Sequence, residues 1–295
     1  MSISVQFDEL LDRIAAGGEL SDGELAALGA TPDILSVGML ADTLRRRRHG
    51  TRVTYLRVAH WPCDAPLDVI PPSAREIRIA GAPETLSAAV GVVEAVRARA
   101  EGRSLSGYSW ADVERFRAGG PASAVLARLR SAGLEAIAHL PLDTIEDPPA
   151  ALGDLATAGY ERLRLSIDKA AADARLVLMR QAARLQDQFE CIQSISPLPF
   201  TLGAFRPTTG YDDVKTVALA RLAAPNIPHV QVDWLRYGPK LAQVALTFGA
   251  DDIDDVTASD VAPDGHRRAP LEEVRSNITA AGFEPAERDG RFALV

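Results

Sequence analysis

Apolar residues near the start of the chain recur at steps of three and four: Phe7, Leu10, Leu11 and Ile14, then Ile34, Val37, Leu40, Ala41 and Leu44. That spacing lines them along one face of a helix, so the first 48 residues read as helical. Ser21 and Thr31-Pro32-Asp33 have the make-up of helix starts: a side-chain oxygen that accepts from the first turn, and a proline whose missing N–H is not needed there. The third helix runs into Arg45-Arg46-Arg47-Arg48 and stops at Gly50. Positive charge suits a helix C-terminus, and glycine just past it suits a cap. The arginines read as a solvated helix end, with a phosphate-binding patch as the alternative.

From residue 51 the period changes. β-rich runs fall at 53–58, 76–80, 104–108, 134–139, 162–167, 190–196 and 229–234, with a weaker one near 251–256. Helical patterns fill 84–100, 110–132 in pieces, 147–158, 169–187, 211–223 and 238–247. Two of them open on S/T-x-x-D capping boxes, Ser109 to Asp112 and Thr209 to Asp212. Sustained strand–helix alternation predicts a parallel sheet, since parallel neighbours need a crossover. Seven clear strands and a weak eighth predict an α/β fold of the (β/α)8 type, a TIM-like barrel. No G-x-G-x-x-G turn follows a strand, which counts against a dinucleotide fold. We expect a single domain over 1–295: a helical segment at 1–50, the barrel at 51–260, and a tail at 261–295 with one helix (271–281) and a short extended end.

Composition narrows the function classes. The net charge of −8 disfavours a nucleic-acid partner, which would need basic surface to neutralise phosphates. No apolar run approaches the roughly 18 residues of a membrane span, and the first residues lack the apolar core of a secretory signal. Cys63 and Cys191 lie far apart and give no disulfide framework. A soluble, cytoplasmic protein is expected.

The C-terminal half carries stretches with a family likeness. TGYDDVKTVALARLAAPNIPHVQVDW (209–234), YGPKLAQVALTFGADDIDD (237–255) and AAGFEPAERDG (280–290) closely resemble the menaquinone-pathway (futalosine pathway) radical-SAM family. That family contains aminofutalosine synthase and dehypoxanthine futalosine cyclase and is related to the deazaflavin FO synthases. ADTLRRRRHGTRVTYLRV (41–58) resembles its lead-in helix and first barrel strand. The resemblance implies a radical-SAM barrel whose first βα loop carries C-x-x-x-C-x-x-C, three thiolates converging on one [4Fe–4S] cubane, with S-adenosylmethionine on the fourth iron.

This chain departs from the family there. After the first strand it reads Arg57-Val58-Ala59-His60-Trp61-Pro62-Cys63-Asp64-Ala65-Pro66, with one cysteine, and the next is Cys191. Other expected stations differ as well. The Gly-Gly turn after the second strand is Ala80-Gly81-Ala82-Pro83, the glycine-rich segment after the fourth is Ala138-His139-Leu140-Pro141-Leu142-Asp143, and the polar stretch after the fifth is Ser166-Ile167-Asp168-Lys169. No [4Fe–4S] cluster is therefore expected as a cofactor, and S-adenosylmethionine is not expected to bind in the family's manner.

In (β/α)8 proteins the functional groups stand at the C-terminal strand ends. The strand assignments put Arg57, His60, Tyr108, His139, Ser194, Asp233, Trp234, Asp251 and Asp252 there, with Arg206 in a following loop. These are the candidate ligand-pocket residues. His60 and His139 with an aspartate have the chemistry of a divalent-metal site, but no H-x-H or H-E-x-x-H spacing supports one, so no metal is expected. Asp251, Asp252, Asp254 and Asp255 read as an acid–base or cation cluster or, in keeping with the resemblance, as shared framework pairing with arginines. Lys169 reads as a surface salt bridge rather than a Schiff-base lysine. Trp234 is the candidate retained pocket wall, and Arg206 a carboxylate binder.

Three functions follow from these features. The leading one is a non-radical pseudoenzyme that binds a small carboxylate-bearing or nucleoside-like ligand, or partners an active radical-SAM paralogue or a second copy of itself, in or near menaquinone biosynthesis. The second is an enzyme whose barrel mouth runs acid–base or metal-dependent chemistry. The third is a radical enzyme with unusual cluster ligation.

Overall fold

The computed structural model describes residues 3–64, 69–199, 209–262 and 268–295. Three helices precede the barrel: α1 (Ile3–Ala16), α2 (Asp22–Ala30) and α3 (Ile34–His49). Ser21 closes a reciprocal capping box with Glu24, and the Asp33 side chain accepts from Ser36 N. Buried Val37, Leu40 and Ala41 turn α3 inward, as their spacing predicts.

The strands and helices then alternate: β1 (Arg52–Pro62), β2 (Glu76–Ala80), α4 (Leu86–Arg97), β3 (Ser104–Ser109), α5 (Trp110–Phe116), α6 (Ala122–Ala132), β4 (Ala136–Pro141) and α7 (Pro148–Thr157). After these come β5 (Leu163–Ser166), α8 (Ala172–Phe189), β6 (Ile192–Ser196), α9 (Gly210–Ala223), β7 (His229–Asp233), α10 (Trp234–Leu246) and β8 (Asp252–Thr257). Parallel neighbours run in order from β2 to β8, then to β1, and β1 returns to β2, which closes an eight-stranded barrel ringed by helices. Ser109 and Thr209 each close their predicted capping box. The weak eighth strand is a full member, bulged between its pairings with Tyr55 and Arg57, and Asp255 takes φ 61° at that irregularity.

Strand residues alternate between two environments. Ile77, Leu105, Ile137, Leu165, Ile195, Val230 and Ile253 are buried in the apolar core between sheet and helices. Their neighbours Glu76, Arg78, Ser106, Arg164, Ser194, Ser196, Gln231, Asp252 and Asp254 fill the barrel instead of the branched aliphatic layers usual in such folds.

The chain ends with α11 (Pro270–Ala280) and β9 (Glu284–Arg288). The expected extended end is thus a ninth strand. It pairs in parallel with the lower half of β1, Arg52↔Glu284 to Leu56↔Arg288, while β2 pairs with the upper half, Val58↔Glu76 to Pro62↔Ala80. The tail beyond β9 plugs the N-terminal end of the barrel. Gly290 donates to Ser104 Oγ at 3.1 Å and its carbonyl accepts from Arg164 Nη2 at 2.7 Å. A Cβ here would collide with Glu76 Oε2 and Ser104 Oγ, so only glycine fits. Among the described residues no helix is long and apolar enough to cross a membrane.

Candidate functional site

The C-terminal barrel mouth opens on a cavity of about 330 Å³. Its walls include His60 from β1, Arg78 from β2, His139 from β4, Ser166 from β5, Ser196 from β6, Gln231 and Asp233 from β7, and Asp254 and Asp255 from β8, with Arg236 and Tyr237 from the first turn of α10.

Beneath the cavity the barrel is cross-linked by charge. Glu76, fully buried, accepts from Arg78 Nη2 at 2.8 Å, Ser106 Oγ at 2.7 Å and Arg164 Nη2 at 2.5 Å. Burial opposes its ionisation, but Arg164 and Arg78 overcome it and hold the carboxyl well below the usual range. Arg78 Nη2 reaches on to Asp254 at 3.0 Å, and His60 Nε2 meets Asp255 Oδ1 at 2.6 Å. That contact raises the His60 pKa against the opposing effect of burial. Lower down, Arg288 grips both oxygens of Asp252 at 2.6 Å each, and Thr54 and Gln231 complete the carboxylate's shell at 2.5 and 2.6 Å.

Asp233 is the exception to this pairing. Its Oδ1 accepts from Arg236 N at 2.8 Å and starts α10. The Arg236 Nε stands 3.9 Å from its other oxygen. Burial, then the charges of Asp255 and Asp254, push its pKa up to about 6. A carboxyl that titrates near neutrality inside a cavity can hold or release a proton there.

Of the residues singled out from sequence, His60, His139 and Asp233 line this cavity. His60 and His139 hold different aspartates, Asp255 and Asp168 (2.9 Å), and among the described residues no third metal-ligand group joins either pair. Tyr108 also borders the cavity, but its φ of 57° turns the ring outward and its hydroxyl donates to Ala89 O at 2.9 Å. Ser194 is buried inside the barrel below the cavity rather than lining it.

Four placements need correction. Arg57 is not at a strand end, because β1 continues to Pro62. Its side chain instead meets Glu287 at 2.7 Å and Asp260 at 3.0 Å. Trp234 packs in the apolar core at the start of α10 and is not a cavity wall. Asp252 lies inside the barrel, sealed by Arg288. Asp251 precedes β8 and so stands at the opposite, N-terminal end. There its carboxylate holds Arg221, His229 Nδ1 at 2.5 Å and Val230 N at 2.9 Å. Arg206 lies outside the described residues.

Sequence reasoning missed the trio His49, His229 and Asp251, whose ligand atoms lie within 4.8 Å of one another. The signal was GADD next to two histidines distant in sequence, and only the fold joins them. The trio's atoms are already engaged, His49 Nε2 with Pro228 O at 2.9 Å and Asp251 with Arg221, so it works as a clasp between α3 and the barrel.

The fit of an iron–sulfur cubane can be judged at the β1 loop. Cys63 follows β1 beside Gly81, whereas buried Cys191 precedes β6 at the other end of the barrel. Burial and Asp64 push the Cys63 thiol up, the wrong direction for a ligating thiolate. One such thiol does not fit a group that needs three.

The fold is that of radical-SAM barrel proteins. Methylornithine synthase superposes with a TM-score of 0.68 over 94% of this chain and 97% of its own, at 14% identity. The hydrogenase maturase HydG of Carboxydothermus hydrogenoformans gives 0.68 over 96% and 80%, at 11% identity. Residues 201–294 match the CofH/MqnC C-terminal region, and the chain is a relative of the futalosine-pathway radical-SAM enzymes. It is 34% identical to the aminodeoxyfutalosine synthase of Thermus thermophilus over 140 residues, 42% of this chain and 37% of that enzyme. It is also 35% identical over 125 residues to the 5-amino-6-(D-ribitylamino)uracil–L-tyrosine 4-hydroxyphenyl transferase of Archaeoglobus fulgidus, 38% and 36% of the two chains. The match therefore spans little more than a third of these relatives' length.

Proposed function

We propose that this chain is a non-radical member of the group, a barrel that binds a small nucleoside-like or carboxylate-bearing ligand in or near menaquinone biosynthesis, without an iron–sulfur cluster. The observation that carries the reading is the β1 loop, where Cys63 stands alone and its thiol is disfavoured as a thiolate. The open cavity, largely apolar with charged and polar side chains converging on it, supports retention of a ligand. Anaerobic reconstitution with iron and sulfide tests the first half: colourless protein without bound iron is expected, and a stable brown cluster would overturn it. Calorimetric titration with aminodeoxyfutalosine tests the second half, with saturable heat expected.

Asp233 favours a second reading, an enzyme doing proton transfer at the mouth. A carboxyl with a pKa of about 6 lies beside the His60–Asp255 pair, as a general acid or base requires. Turnover of a bound ligand that falls in Asp233→Asn and keeps an acidic pH limb would move the protein into this class. A partner role predicts instead co-purification with an active radical-SAM paralogue.

A further inference from the structure

Three buried polar atoms inside the barrel have no partner among the described residues: Arg164 Nε, Ser166 Oγ and Ser194 Oγ. They are neighbours. In the β5–β6 register Arg164 lies opposite Ser194 and Ser166 opposite Ser196. Paired strands run about 4.8 Å apart, and residues two apart on a strand share a face. The four side chains therefore make one two-by-two patch. Arg164, Ser166 and Ser196 border the cavity and Ser194 lies under them.

The Arg164 side chain cannot turn away to find a partner. Its Nη1 and Nη2 are fixed on Glu76 at 3.1 and 2.5 Å, and Nη2 also on Gly290 O at 2.7 Å, which leaves Nε as the one guanidinium nitrogen without a partner among the described residues. Buried donors and hydroxyls are normally satisfied, and a group of unsatisfied ones set into the floor of a cavity marks where something polar sits.

We propose that this patch is a subsite for the hydroxyl groups of a sugar-like ligand, an assignment that rests on the reading of the cavity as a small-molecule site. Charge selects that chemistry. The guanidiniums of Arg78, Arg164 and Arg288 are already held by Glu76, Asp252 and Asp254, so a carboxylate on the patch would add uncompensated negative charge to a buried site. A protonated amine would meet the Arg164 N–H, which offers it no lone pair. A hydroxyl accepts from Arg164 Nε and donates to a serine oxygen, and two serines on neighbouring strands match a pair of adjacent hydroxyls. Any carboxylate on the same ligand is directed outward, toward Arg236 at the rim.

The test is calorimetric titration of the intact chain with adenosine and with 2′,3′-dideoxyadenosine. The same titrations on Ser166→Ala and Ser194→Ala complete a cycle. Loss of the diol should weaken binding about tenfold or more, roughly one to two hydrogen bonds. Each variant should weaken adenosine and leave the dideoxy compound unchanged, without lowering the melting temperature, since neither serine loses a partner in the free protein. Equal affinity for the two nucleosides would overturn the subsite while leaving the cavity a ligand site. Binding of neither would sink the subsite, and the titration with aminodeoxyfutalosine would then judge the cavity separately. A crystal structure with a ligand bound and only ordered water on the three atoms would also overturn it.

Discussion

At the scale of single residues, burial sorts the acidic groups by whether an arginine answers them. Asp252 has Arg288 on both oxygens, and both side chains are fully buried. Arg288→Met would strip a buried carboxylate of its paired cation and leave it only the Thr54 and Gln231 hydrogen bonds, which typically costs about 3–5 kcal/mol. Chemical denaturation at pH 7 should show the loss, and the further change Asp252→Asn should recover much of it. Asp233 has a weaker answer, Arg236 Nε at 3.9 Å, and its pKa rises to about 6. Because its folded-state pKa lies above the unfolded value, folding takes up a proton between roughly pH 4 and 6. Above that window the ionised carboxyl works against the fold. Asp233→Asn keeps an oxygen to cap α10 and removes the charge. We expect it to be more stable than the parent by about 1–2 kcal/mol at pH 8. At pH 4 the two should be equal, and parallel unfolding curves at the two pH values check both halves.

At the scale of elements, the tail locks the barrel by close approach. Gly290 sits against Glu76 and Ser104 with no room for a methyl group. Gly290→Ala must push the tail outward or displace the Glu76 carboxylate from Arg164, a strain of about 1–3 kcal/mol. Hydrogen exchange should show β9 and the lower half of β1 losing protection first, while α4 to α7 keep theirs. This element shows where sequence reading stopped. The helices and strands were legible because their periods and caps are local, as at Ser109 and Thr209. The tail read only as an extended end, since nothing local tells that residues 284–288 pair with a strand more than 200 positions earlier. The site divides the same way. His60, His139 and Asp233 could be placed at strand ends by counting, but β1 runs on to Pro62 and leaves Arg57 short of the mouth, and Asp251, at the start of the run that forms β8, belongs to the opposite end. Partnerships such as His60 with Asp255 depend on a bulge that the sequence does not announce.

At the scale of the whole molecule, filling a barrel with ion pairs makes its stability a function of pH. Glu76, Asp251, Asp252, Asp255 and Glu287 all have pKa values below their ordinary range, each burial penalty being overcome by an arginine or histidine partner. Groups lowered on folding contribute stability above the unfolded carboxyl values near 4, and lose it as pH falls through the folded ones. Acid should therefore unfold the chain progressively below about pH 4. His60 acts in the opposite sense. Its raised pKa gives stability that is complete below its ordinary value and fades as pH climbs through the folded one. Asp233, ionising near pH 6, opposes the fold on the same alkaline side. The two limbs leave a stability maximum on the acidic side of neutrality, at about pH 5–6. Denaturation midpoints across pH 3–9 test this directly. A maximum at pH 8 would mean that the interior charges are solvated or differently paired. In Asp233→Asn the alkaline limb should flatten without vanishing, because the histidine's share remains, and the acidic limb should be unchanged.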